Sequence, residues 1–78
     1  MDKIKRIIAE VFKIDPETIG MEMAPGDIEA WDSLGQLFLI ERLEKEFGIK
    51  LDVEEIFEIM SIRDIYRILK RKGCEGFD

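Results

Sequence analysis

The chain has 78 residues, room for one small domain around a single core and none for a second. Hydrophobic residues make up 46% of it against six glycines and two prolines, which excludes a disordered chain and argues for a helix-rich fold with isoleucine as its main core residue. Net charge is −6 but unevenly spread, with residues 1–14 at +2, 15–60 at −10 and 61–78 at +2, so nucleic acid is excluded as a partner and a basic surface is favoured.

The opening "MDKIKRIIAEVFKI" breaks its apolar residues with charge every two or three positions, the pattern of a helix and not of a signal-peptide h-region. Asp2 is placed to cap it, and Ile4, Ile7, Ile8, Val11 and Phe12 form one buried stripe. Pro16 is expected to end it, because the residue before a proline is pushed out of the α region. From Asp15 to Asp32 no period persists and "MAPGD" supplies turn chemistry, so an ordered loop is expected there, pinned by Ile19, Met21, Met23 and Ile28.

A second helix starts at "DSLGQ" and runs to about Phe47, with Gly48 as its stop. A short third is signalled by "LDVEEIFEI", where Asp52 and Glu55 have capping-box spacing. The fourth starts at Ser61, with Asp64 three residues on, and buries Ile62, Ile65, Tyr66 and Leu69 before Lys70, Arg71, Lys72 and Gly73 close it. The expected architecture is all-α: a small four-helix bundle of three main helices plus one short helix, with a long loop between helices 1 and 2. Residues 1–78 form one domain, with 73–78 expected as a flexible tail in which Cys74 is an incidental free thiol. A lone cysteine and the lack of any apolar run of membrane-spanning length fit a cytoplasmic monomer that does not insert into membranes.

The second helix carries more apolar residues than one buried face needs. At roughly 100° per residue, Leu39, Ile40, Leu43 and Phe47 fall on one side, while Leu34, Leu37 and Phe38 fall on the other. Burial nearly all round explains this, and so does an exposed patch, rimmed by Glu41 and Glu44, that docks partner proteins.

Ser33 opens the same helix. "SLGQ" fits a capping box in which Gln36 reaches back, while Asp32 is an equally good cap and would leave the Ser33 hydroxyl free. Either way the helix start favours a negative group on this oxygen. A catalytic role is disfavoured, since there is no histidine to act as base and no G-x-S-x-G elbow, so no catalytic residue is assigned. No metal site is assigned either, because Glu54, Glu55 and Glu58 fit a solvated face better than a cation site.

At "WDSLGQLFLIERLEKEFGIKLDVEEIF" the chain resembles the acyl carrier proteins, with their D-S-L attachment motif as Asp32, Ser33 and Leu34. "IDPETI" at residues 14–19 extends the resemblance over almost the whole length. The resemblance implies a carrier and not an enzyme. A phosphopantetheinyl transferase would attach 4′-phosphopantetheine from coenzyme A to Ser33, and acyl groups would ride as thioesters on its thiol. It also implies docking of acyl-loading and acyl-processing enzymes with basic patches through Leu34, Leu37, Phe38, Glu41 and Glu44, joined by Glu54, Ile56 and Ile59 of the third helix. Phe38 stands where fatty-acid carriers have an acid, and Glu41 where they often have an apolar residue. With Trp31 before the motif, this points to a specialised fatty-acid, polyketide or related acyl pathway. The alternatives are an aminoacyl or D-alanyl carrier and a non-covalent acidic interaction domain in which Ser33 is only a cap.

Overall fold

In a computed structural model, which describes residues 2–74, the chain forms four α-helices in the expected order. They are α1 (Lys3–Phe12), α2 (Ser33–Phe47), α3 (Val53–Glu58) and α4 (Ile62–Arg71), with a 3₁₀ turn over Pro16–Thr18. No β-strand forms among the described residues, and no helix is long and apolar enough to cross a membrane.

Helix α1 begins because the Asp2 carboxylate accepts from the amides of Ile4 and Lys5 at 2.8 and 3.3 Å. The other Asp2 oxygen accepts from the Tyr66 hydroxyl at 2.6 Å, so one side chain caps α1 and ties it to α4. Burial together with this carboxylate pushes the Tyr66 phenol well above its usual range. Tyr66 is thus half-buried, while Ile68, absent from the expected stripe, is buried with Ile62, Ile65 and Leu69. The end of α1 differs from expectation. It stops at Phe12 because Lys13 turns left-handed (φ 57°) and the amides of Lys13 and Ile14 both bond the Ala9 carbonyl. Pro16 instead opens the 3₁₀ turn, where its missing N–H costs nothing.

The long connection is ordered by two means. Ile19, Ile28 and Trp31 are buried in the core formed by α1, α2 and α4, with Met21 and Met23 packed against it. Its backbone also serves another helix: the carbonyls of Met23 and Met21 accept from the amides of Ile62 and Arg63 at 2.9 and 3.0 Å, satisfying donors at the start of α4. Ser61 accordingly makes no side-chain cap to the backbone, and its hydroxyl meets the Asp64 carboxylate, which also accepts from the Met60 amide.

At α3 the capping box of Asp52 and Glu55 forms as expected. On this helix Glu54 and Glu58 are exposed, as expected of a solvated face, while Glu55 pairs with Lys72 at 2.9 Å and Glu58 with Arg71 at 3.2 Å. At the end of α4, Gly73 is left-handed and the amides of Gly73 and Cys74 bond the carbonyls of Lys70 and Leu69. Cys74 therefore belongs to the helix closure and packs against the core, which corrects its placement in a flexible tail, and burial pushes its thiol upward. The rest of that expected tail, residues 75–78, lies outside the described residues.

The amide of Asp52 and the Lys72 ammonium hold the Glu55 carboxyl below its ordinary value of 4.5. A depressed folded-state value gives stability that is present above the ordinary value and lost as pH falls through the folded one. Glu55→Gln should therefore melt lower than the wild type at pH 7, with the gap closing as pH drops below 4.5 in thermal melts followed by circular dichroism. A gap independent of pH would contradict the linkage.

Candidate functional site

Ser33 is presented by three neighbours that have little freedom. Trp31, two residues before it, is 1% exposed, and its ring stacks on that of Phe12 at 5.7 Å between centroids. Its indole N–H donates to the Gln36 side-chain oxygen at 2.6 Å, and the Gln36 amide nitrogen reaches the Ile56 carbonyl at 3.5 Å. Asp32 is the N-cap, its carboxylate accepting from the Gly35 amide at 2.8 Å. Gln36 is thus bridged to Trp31 and does not close a box with Ser33.

Gly35 is required for a different reason. It is buried against the incoming loop so tightly that a Cβ at this position would stand 1.9 Å from the Ala30 carbonyl oxygen. The glycine lets the backbone of residue 30 lie directly on the first turn of α2. Sequence reasoning singled out neither Gly35 nor the buried role of Trp31. A glycine in the first turn of an amphipathic helix was the available signal for the first, and a tryptophan in a loop otherwise rich in acid and turn residues for the second.

With Asp32 as the cap, Ser33 falls in the first turn of α2, exposed, and its hydroxyl has no hydrogen-bond partner among the described residues. Asp32 takes the Gly35 amide, and the amides of Ser33 and Leu34 lie where helix geometry supplies no acceptor. An exposed, uncommitted oxygen beside free amides at a helix start suits a phosphodiester link at this atom. Two shallow depressions adjoin it. One, of about 420 Å³, lies between α1 and α2 along Phe12, Asp32, Leu34 and Phe38. The other, of about 380 Å³, is lined by Trp31, Ser33, Gln36 and Ile59.

The two apolar faces of α2 resolve clearly. Leu39, Ile40 and Leu43 are buried, with Phe47 packed against the core, whereas Leu34, Leu37 and Phe38 are between 56% and 59% exposed. Glu41 is exposed beside them, and Glu54 is exposed on α3. Three of the expected docking residues are less exposed than Leu34, Leu37 and Phe38. Ile59 is 6% exposed and belongs to the core, and Ile56 is half-buried with its carbonyl taken by Gln36. Glu44 is half-buried, and its carboxylate accepts from the Leu51 amide at 2.8 Å, which holds the chain between α2 and α3. The outward apolar residues of this region are instead Val53, Phe57 and Met60. Val53 and Phe57 are four apart and share a face, and the inward face of so short a helix falls to Ile56.

The family model described as a phosphopantetheine attachment site matches residues 2–69. An acyl carrier protein of Clostridium acetobutylicum is 38% identical over 69 residues, covering 88% of this chain and 90% of that protein. One from Thermosynechococcus vestitus is 31% identical over 72 residues, 92% and 89% of the two chains. Acyl carrier protein AcpXL of Rhizobium meliloti is 44% identical over 54 residues, 69% of this chain and 57% of that one.

Glycine to alanine in a helix ordinarily stabilises, by roughly 0.5–1 kcal/mol. Here the sign should reverse: Gly35→Ala must displace the Ala30 carbonyl and should lose about 1–3 kcal/mol in urea denaturation. The two faces of α2 predict a second contrast. Leu39→Ala should cost about 2–5 kcal/mol and Leu37→Ala no more than about 0.5 kcal/mol, whereas equal losses would place Leu37 in the core.

Proposed function

We propose, since the chain belongs to the acyl carrier protein family, that Ser33 is the atom through which it is loaded and that its cargo serves a specialised acyl pathway. Members of this family are carriers and not catalysts, and the cofactor is covalently attached 4′-phosphopantetheine, whose terminal thiol holds acyl groups as thioesters. The observation that carries the assignment to Ser33 is its free, exposed hydroxyl in the first turn of α2, framed by the Asp32 cap and the buried Trp31. In loading, the Ser33 oxygen forms a bond to phosphorus as the bond from that phosphorus to the adenosine bisphosphate half of coenzyme A breaks. The serine proton leaves to a base on the transferase, since Asp32, the carboxylate adjacent in sequence, is committed to capping α2.

The chain's own contribution is positioning and recognition. Leu34, Leu37 and Phe38 offer apolar area beside the exposed carboxylate of Glu41, and Val53, Glu54 and Phe57 on α3 and Met60 after it are exposed as well. A basic enzyme surface is steered by the acids and held by the apolar residues, a combination suited to docking that exchanges. An aromatic ring at position 38, where fatty-acid carriers have an acid, shifts the balance from charge toward shape. That supports partners outside housekeeping fatty-acid synthesis.

Incubation with coenzyme A, Mg²⁺ and a broad-specificity phosphopantetheinyl transferase, followed by intact-protein mass spectrometry, tests the attachment. The wild type should gain one phosphopantetheine and Ser33→Ala none. No gain on the folded wild type would return Ser33 to the role of a helix residue and favour a non-covalent interaction domain.

A further inference from the structure

The middle of the sequence is acidic, but α1 and α4 are not, and the hydrogen bond from the Tyr66 hydroxyl to Asp2 sets these two helices side by side. Lys5 is three residues beyond Asp2, while Arg63 and Lys70 are three before and four beyond Tyr66, so all three line the seam between the helices. Arg6 and Arg67 stand next to them and are exposed, as are Arg63 and Lys70. The acids nearby are already bonded. Asp2 accepts from two amides and from Tyr66, Asp64 accepts from the Met60 amide and the Ser61 hydroxyl, and Glu10 turns to Arg42 of α2. Lys5, Arg6 and Lys70 form no ion pair among the described residues. Arg67 meets Asp64 only at 3.8 Å, and Arg63 shares an exposed pair with Glu22. The result is a basic face on a chain whose net charge is −6.

Protein interfaces bind through a desolvated centre of apolar and aromatic side chains, and this face has none. The large hydrophobic residues exposed among the described residues, Leu34, Leu37, Phe38, Val53, Phe57 and Met60, all lie on α2, on α3 or directly after α3. A layer of lipid phosphates and carboxylates asks for charge alone, and each Lys or Arg at such a surface adds about fivefold to affinity. The net charge of −6 opposes the approach only where it is felt. At physiological salt the screening length is about 8 Å, while the molecule extends over 27 × 26 × 20 Å, so acids on the far side are screened and the near face decides. At about 10 mM salt the length grows to about 30 Å and the whole charge acts.

We propose that the α1–α4 face adsorbs the carrier reversibly to anionic bilayers, with lipid headgroups meeting Lys5, Arg6, Arg63, Arg67 and Lys70 and no segment inserted. The proposal goes beyond the carrier function and does not depend on attachment at Ser33. The adsorbing face contains none of the exposed apolar residues that α2 and α3 offer to enzymes, so adsorption and docking draw on different side chains. An acyl chain leaves water readily for a bilayer, and handing it over at that surface suits the cargo.

Co-sedimentation of the full chain with vesicles of phosphatidylcholine and phosphatidylserine, mixed two to one, tests this against vesicles of phosphatidylcholine alone. Binding to the anionic vesicles should be greatest at about 0.1 M salt, weaker at about 10 mM, where the net charge is unscreened, and absent at about 1 M. Neutral vesicles should bind none. Arg6→Glu, which suits the dipole at the start of α1, and Lys70→Glu should each lower the association constant at least about fivefold at about 0.1 M salt. Lys45→Glu makes the same change in net charge on the outward side of α2, in register with Leu34 and Glu41, and should leave binding nearly unchanged. Circular dichroism checks that each variant is folded. Equal losses in all three variants would show that net charge decides and not the face. Binding to neutral vesicles would point to the apolar residues of α2 and α3, and retention on an acidic polypeptide without vesicle binding would assign the face to a protein. Each of these overturns the proposal, as does a lack of binding at every salt. Attachment at Ser33 is read separately by mass, and Ser33→Ala should bind the anionic vesicles as the wild type does.

Discussion

The carbonyl of Ala30 lies where a Cβ on residue 35 would have to be, and the architecture around Ser33 depends on that approach. It brings the last stretch of the long connection flat against the first turn of α2. Trp31 can then enter the core and stack on Phe12, the final residue of α1, while its N–H finds Gln36 one turn into α2. The end of α1 and the start of α2 are thereby fastened through one side chain. Asp32 follows at once as the cap, so Ser33 is flanked on both sides by residues whose positions are fixed. A group attached here gains reach from its own length, since the backbone that bears it is held.

Helix identities and starts were legible because they rest on local chemistry. The capping carboxylates of Asp2 and Asp52, the apolar stripe of α1 and the glycine stop after Phe47 are features a few residues long. What the sequence hid is tertiary. The carbonyls of Met21 and Met23 cap α4 some forty residues away, and no pattern announces which backbone groups a loop will lend. The end of α1 departs from expectation because Lys13 adopts a conformation that lysine disfavours, three residues before Pro16. The resemblance alone assigns Ile56 and Ile59 to the docking surface. In a helix as short as α3, however, two inward residues are all that anchor it, and the outward face is left to Val53 and Phe57.

The acidic middle of the sequence is also less uniform in space than its total implies. Glu55 and Glu58 turn toward Lys72 and Arg71 at the end of α4, Glu10 toward Arg42, and Glu22 toward Arg63. Most of these pairs are exposed and add little stability each. Their effect is to cancel charge away from the exposed side of α2. Glu41, one turn from Leu37 and Phe38 on α2 and without such a partner among the described residues, then carries local negative charge beside them. Sequence-level charge gave the sign of this field, and the pairing of acids with the terminal bases gives its direction.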